Sequence, residues 1–101
     1  MLKLKSIRRV TIYASGALEE PLVTHFLALG STGYTVTECR GKGEHRVVDD
    51  PLGPPPFVRI EVLVQPAVAE KIMMFLQAHH LKSQAVAACV ETVEVLATEH
   101  F

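Results

Sequence analysis

β-Branched and aromatic side chains crowd residues 6–14, Ser-Ile-Arg-Arg-Val-Thr-Ile-Tyr-Ala, and predict a first strand. Ser15-Gly16 is a turn signal. Beyond it the period changes. Leu18, Leu22, Phe26 and Leu29 recur at helical spacing, with Val23 and Leu27 beside them. Pro21 fits that helix only in its first turn, and Gly30 is its stop. Residues 33–40 return to strand character, with Tyr34, Val36 and Glu38 on one face and Thr35, Thr37 and Cys39 on the other. Residues 57–64, Phe-Val-Arg-Ile-Glu-Val-Leu-Val, predict a third strand. Pro66 opens a second helix in which Val68, Ile72, Met73, Leu76 and His79 follow at helical spacing. Residues 85–96, rich in Val and Ala, predict the last strand, and residues 97–101 form a short tail able to pack on a neighbour.

The order β-α-β-β-α-β predicts an α+β, ferredoxin-like fold. Two right-handed crossovers interleave into one antiparallel four-stranded sheet with both helices on one face. Apolar residues on both sheet faces, Ile60, Val62 and Val64 set against Val58, Leu63 and Phe57, predict packing of the open face against partner chains. At 101 residues the chain is the size of one domain, spanning 1–101.

Composition narrows the function classes. A hydrophobic content of 49% excludes a disordered polar chain. The net charge of -1 offers no general basic surface, so nucleic acid is not an expected partner. Lys3, Lys5, Arg8 and Arg9 read as a solvated strand edge. Cys39 and Cys89 are too few for a disulfide framework and read as reduced, buried thiols of a cytosolic protein. No apolar run approaches the ~20 residues of a membrane span, and the first residues lack a secretory apolar block. A cytoplasmic location without direct membrane insertion is expected.

The chemistry concentrates where the second strand runs into residues 41–56, which open on two spaced glycines and carry several charges, Asp49-Asp50 and four prolines. A loop of this length inside a small domain is commonly functional or mobile. Gly41 and Gly43 let backbone N–H groups approach an anion closely. Lys42, His45 and Arg46 supply positive charge, and arginine can grip a phosphate bidentately. Taken alone, the pattern fits a flexible hairpin loop equally well, because the strand-to-helix setting of a Rossmann or Walker loop is missing.

The run Gly-Tyr-Thr-Val-Thr-Glu-Cys-Arg-Gly-Lys-Gly, residues 33–43, resembles the PII pattern Gly-Leu-Thr-Val-Thr-Glu-Val-Lys-Gly-x-Gly that leads into the T-loop. Residues 57–64 are similar to the PII strand that follows that loop, and Val-Glu-Thr-Val-Glu-Val-Leu at 90–96 continues the likeness. The resemblance implies a PII-like homotrimer with a T-loop at about 41–56 and adenine nucleotides in clefts between subunits. It implies nucleotide binding by Thr35, Gly41, Lys42, Gly43, His45, Arg46 and Leu63, with Thr35 and Leu63 near the adenine. A shorter loop without tyrosine, and His-His-Leu-Lys-Ser-Gln at 79–84 in place of a glycine-rich phosphate loop, set the chain apart from nitrogen-sensing PII proteins. Gly-Tyr-Thr-Val at 33–36, the short loop and the ending Val-Glu-Val-Leu-Ala-Thr-Glu-His-Phe at 93–101 instead resemble the PII-like regulators of bicarbonate uptake and carboxysomes. Fewer basic groups favour AMP or ADP over ATP, and bicarbonate is expected against Arg46, Arg59 or Lys42. A bicarbonate transporter or carboxysome component is then the implied partner; no cofactor beyond these regulatory ligands is implied.

Two other readings compete. A trimeric metal-binding protein of the CutA type would draw ligands from Cys39, Cys89, His45, His79, His80 and His100, none of them at a zinc spacing. An enzyme would need a nucleophile–base pair or clustered carboxylates, and the sequence offers neither. Asp49-Asp50 read as a solvated turn.

Overall fold

The computed structural model describes residues 1–40, 57–79 and 86–101. Its elements are β1 (Leu4–Ser15), α1 (Glu19–Ala28), β2 (Thr35–Cys39), β3 (Phe57–Val64), α2 (Pro66–His79) and β4 (Ala87–Leu96), with a 3₁₀ turn (Gly16–Leu18) before α1. The strands form one antiparallel sheet in the order β2-β3-β1-β4. α2 lies over β1 and β4, and α1 over β3. This is the expected ferredoxin-like arrangement, with both helices on one face. Among the described residues no helix is long and apolar enough to cross a membrane.

Alternation decides which side chains the helices cover. Val10, Ile12 and Ala14 on β1 and Val58, Ile60, Val62 and Val64 on β3 are all buried with Leu22, Val23 and Phe26 of α1 and Ala69, Ile72 and Leu76 of α2. Val58 therefore shares a face with Ile60, Val62 and Val64. The expectation that it stood opposite them was wrong, because residues two apart on a strand point the same way. The open face carries Ile7, Arg9, Thr11 and Tyr13 of β1, Phe57, Arg59, Glu61 and Leu63 of β3, and Thr35 and Thr37 of β2.

β1 is an inner strand, paired with β3 from Arg8 to Ser15 and with β4 from Leu4 to Tyr13. Arg8 and Arg9 are thus not on a strand edge, as their charge suggested, and both are partly buried. Leu4 to Ile7 pair with β4 alone, so the sheet ends there in a two-stranded ribbon. Cys39 is half-buried and Cys89 exposed. The expectation of buried thiols fails because Cys89 lies on the edge strand and on the face without helices.

Local signals fix the helices. Ser15 Oγ accepts from Ala17 N at 3.3 Å to start the 3₁₀ turn. Glu19 and Glu20 then open α1, where the helix dipole favours negative charge, and Pro21 sits in the first turn as required. Leu27 was expected beside the core but is 45% exposed. At about 100° per residue it falls about 40° beyond Val23, outside the buried arc. α1 closes with Ser31 N donating to Phe26 O at 3.0 Å and Gly30 N to Leu27 O at 3.2 Å. That Schellman pair places Gly30 at φ 118°, the only positive φ among the described residues. Gln65 O accepts from Val68 N and Ala69 N, both at 3.0 Å, ahead of Pro66 at the start of α2. On the helix side His25 stacks on Phe75 with ring centroids 4.4 Å apart, and His79 meets Phe75 tilted at 5.0 Å. His79, the last residue of α2, is exposed where its helical stripe runs out.

Candidate functional site

A groove of about 220 Å³ opens on the face without helices, lined by Arg9, Thr32, Gly33, Tyr34, Thr35, Glu61, Leu63 and Phe101. Strand register assembles it. Arg9 pairs with Leu63 and Thr35 with Glu61, which sets four side chains from three strands on one surface. The α1 stop builds the adjoining wall: the chain turns at Gly30, and buried Ser31 donates from Oγ to Gly33 O at 2.6 Å. This bond braces residues 32–35 as they enter β2. A larger hollow of about 300 Å³ at the ribbon end is lined by Met1, Leu2, Lys3, Leu96, Ala97 and Thr98. It gathers few polar side chains, whereas the groove converges several on an apolar floor, the composition of a ligand site.

Charge in the groove is balanced. Glu91 lies directly opposite Arg9 on β4; its Oε1 accepts from Arg9 Nε at 2.9 Å and lies 2.8 Å from Nη2 in an ion pair. Hydrogen bonding to Glu91, and then its negative charge, raise the Arg9 guanidinium above its ordinary value. Glu61 Oε1 lies 3.0 Å from Arg59 Nε, two residues along the same strand. That approach is an ion pair without hydrogen-bond geometry, so the buried Nε–H finds no acceptor among the described residues.

Of the residues singled out in the sequence, the groove brings together Thr35 and Leu63. Arg59 is on the same face, in register with Tyr13 and Thr37, but does not line the groove. Gly41, Lys42, Gly43, His45 and Arg46, together with the loop 41–56, lie outside the described residues, as does His80. Arg9, Tyr34, Glu61 and Phe101 were not anticipated as site residues. The signal for Arg9 and Glu61 lay in parity: once the strand order is known, they share a face with Leu63 and Thr35. Phe101 had no such signal. Among the described residues no three His, Cys, Asp or Glu side chains are grouped to hold a metal ion.

The sheet order, the two helices on one face and the groove define a chain of the PII-like structural class. The family model for nitrogen regulatory protein P-II matches residues 7–100, and the chain belongs to this family. A crystal structure assigned as a PII-like signaling protein of Thermus thermophilus is 35% identical, with a TM-score of 0.79 and 94% of each chain covered. CPII of Thiomonas intermedia, a nitrogen regulatory PII-like protein, superposes with a TM-score of 0.77 at 21% identity, over 92% of this chain and 96% of that one. That structure holds ADP, AMP and bicarbonate. A second CPII structure, bound to ADP and bicarbonate, gives a TM-score of 0.81 at 21% identity, over 94% and 93% of the two chains. No curated protein matches the chain.

Proposed function

We propose that this chain is a PII-like signal-transduction protein that binds AMP or ADP in clefts between the subunits of a homotrimer. The observation that carries the reading is the groove in which Thr35 and Leu63 meet on the open sheet face. At about 220 Å³ it is smaller than the ~300–1,000 Å³ of a complete small-molecule site, which suits a cleft finished by a neighbouring copy. Bicarbonate is the proposed second ligand, with Arg59 and Arg46 as its anion-binding groups and Lys42, Gly41, Gly43 and His45 toward the phosphates. CPII, with ADP, AMP and bicarbonate bound, supplies the precedent for both ligands. The role that follows is regulatory rather than catalytic. Occupancy shifts the population of loop 41–56, and a bicarbonate transporter or carboxysome component in the cytoplasm reads the change.

Titration calorimetry with AMP, ADP, ATP and cyclic AMP, each with and without bicarbonate, tests the proposal, alongside light scattering for the trimer. AMP and ADP should bind more tightly than ATP. No heat with any nucleotide, or a monomer throughout, would overturn it.

A further inference from the structure

The segment after β4 is tied across the end of the sheet. Ala97 N donates to Lys3 O at 3.0 Å, Lys5 Nζ to Glu99 O, and Gln65 Nε2 to Phe101 O at 3.2 Å. These bonds carry residues 97–101 from the ribbon to the junction of β3 with α2, and leave Phe101 beside Leu63 in the groove wall. Phe101 belongs neither to the buried core nor to the partly buried residues packed against it. An aromatic ring is thus held, half-buried, at a groove instead of in the interior.

We infer that Phe101 is the aromatic wall on which the base of the bound nucleotide stacks; this rests on the nucleotide reading above. Two further features favour a flat, uncharged group here. Among the residues lining the groove, Arg9 is matched by Glu91 and Glu61 lies beside Arg59, so no unpaired cation lines this end for a phosphate. Leu63 and Tyr34, the latter 47% exposed, add apolar and aromatic surface to the same lining. Stacking on an aromatic side chain is open to any base, and adjacent polar groups read its edge. Phosphate charge is then met elsewhere, so Phe101 acts equally on every ligand that carries the base.

The test is calorimetry of the full chain with adenosine, AMP and ADP, using Phe101→Ala, Phe101→Leu and Phe101→Trp. The Leu variant keeps apolar bulk without a ring, so it separates stacking from packing should the Ala variant fold poorly. Ala and Leu should weaken all three ligands by the same factor, about 5- to 150-fold. Trp should hold affinity near wild type, and its emission should be quenched as AMP is added. Wild-type affinity in the Leu variant, a loss confined to ADP, or unmoved Trp emission would each overturn the inference while leaving the nucleotide reading standing. Failure of the wild type to bind any of the three would overturn both.

Discussion

Gly30→Ala tests how the α1 stop supports the groove. Gly30 holds φ 118°, a region that L side chains rarely adopt, and a Cβ placed there would meet Val68 Cγ2 at 3.1 Å. A non-glycine residue in this half of the map costs about 1–3 kcal/mol. Restricting the unfolded chain returns about 0.4–1 kcal/mol. Val68 is stiff at χ1 and yields little, so the net destabilisation should be about 1–2 kcal/mol. With a urea slope near about 2 kcal/mol/M, the midpoint should fall by about 0.5–1 M. Urea unfolding followed by circular dichroism reads this, at one fixed protein concentration because assembly adds to apparent stability. Val68→Ala in the same background should recover only the part due to crowding. A Gly30→Ala midpoint equal to or above wild type would refute the argument from backbone strain. Complete recovery by Val68→Ala would refute its apportioning. Residues 32–35 begin two positions beyond Gly30, so the variant should also bind AMP more weakly.

Two other perturbations probe the wall and the core. Ser31→Ala removes the 2.6 Å bond to Gly33 O; it should cost about 0.5–1.5 kcal/mol and speed amide exchange at residues 32–35, and unchanged exchange there would show that the bond does not brace the wall. Leu76→Ala opens a cavity at a fully buried α2 position under the sheet; it should cost about 2–5 kcal/mol in chemical unfolding, and a loss under about 1 kcal/mol would mean that the site collapses around the smaller side chain.

Element order was legible in the sequence because each period stands alone in its segment. Residues 57–64 alternate cleanly, and their strand coincides with Phe57–Val64. Pro66 marks the first residue of α2 and Gly30 follows the last turn of α1. Boundaries moved where a partner strand sets the limit. β1 begins at Leu4, ahead of the predicted residue 6, because β4 extends to Leu96 and pairs with it. β2 starts at Thr35, after the predicted residue 33, where pairing with Glu61 begins. The site was less legible. Its lining joins the run 32–35 to Arg9, Glu61, Leu63 and Phe101, so the Gly-Tyr-Thr of residues 33–35 marks one wall and no local motif marks the rest. The glycine-spaced segment drew attention to residues 41–46, whereas the described groove is assembled by register between β1, β2 and β3.

The open sheet face has the chemistry of a surface that another protein copy can cover. A lone charge taken out of water is costly, and breaking a buried pair costs several kcal/mol. Here the charges come already matched. Arg9 faces Glu91 across the β1–β4 ladder, and Arg59 lies beside Glu61 along β3. Two cations meet two anions within the plane of the sheet, so a partner need not supply counter-charges to these four side chains. Between and beyond them stand the partly exposed Leu63 and Val93, which provide apolar area on the same face. Opposite charges paired across strands stabilise the sheet itself only weakly. Their larger consequence is permissive: a face whose four charges are already paired can be dried at less cost, as the proposed homotrimer requires.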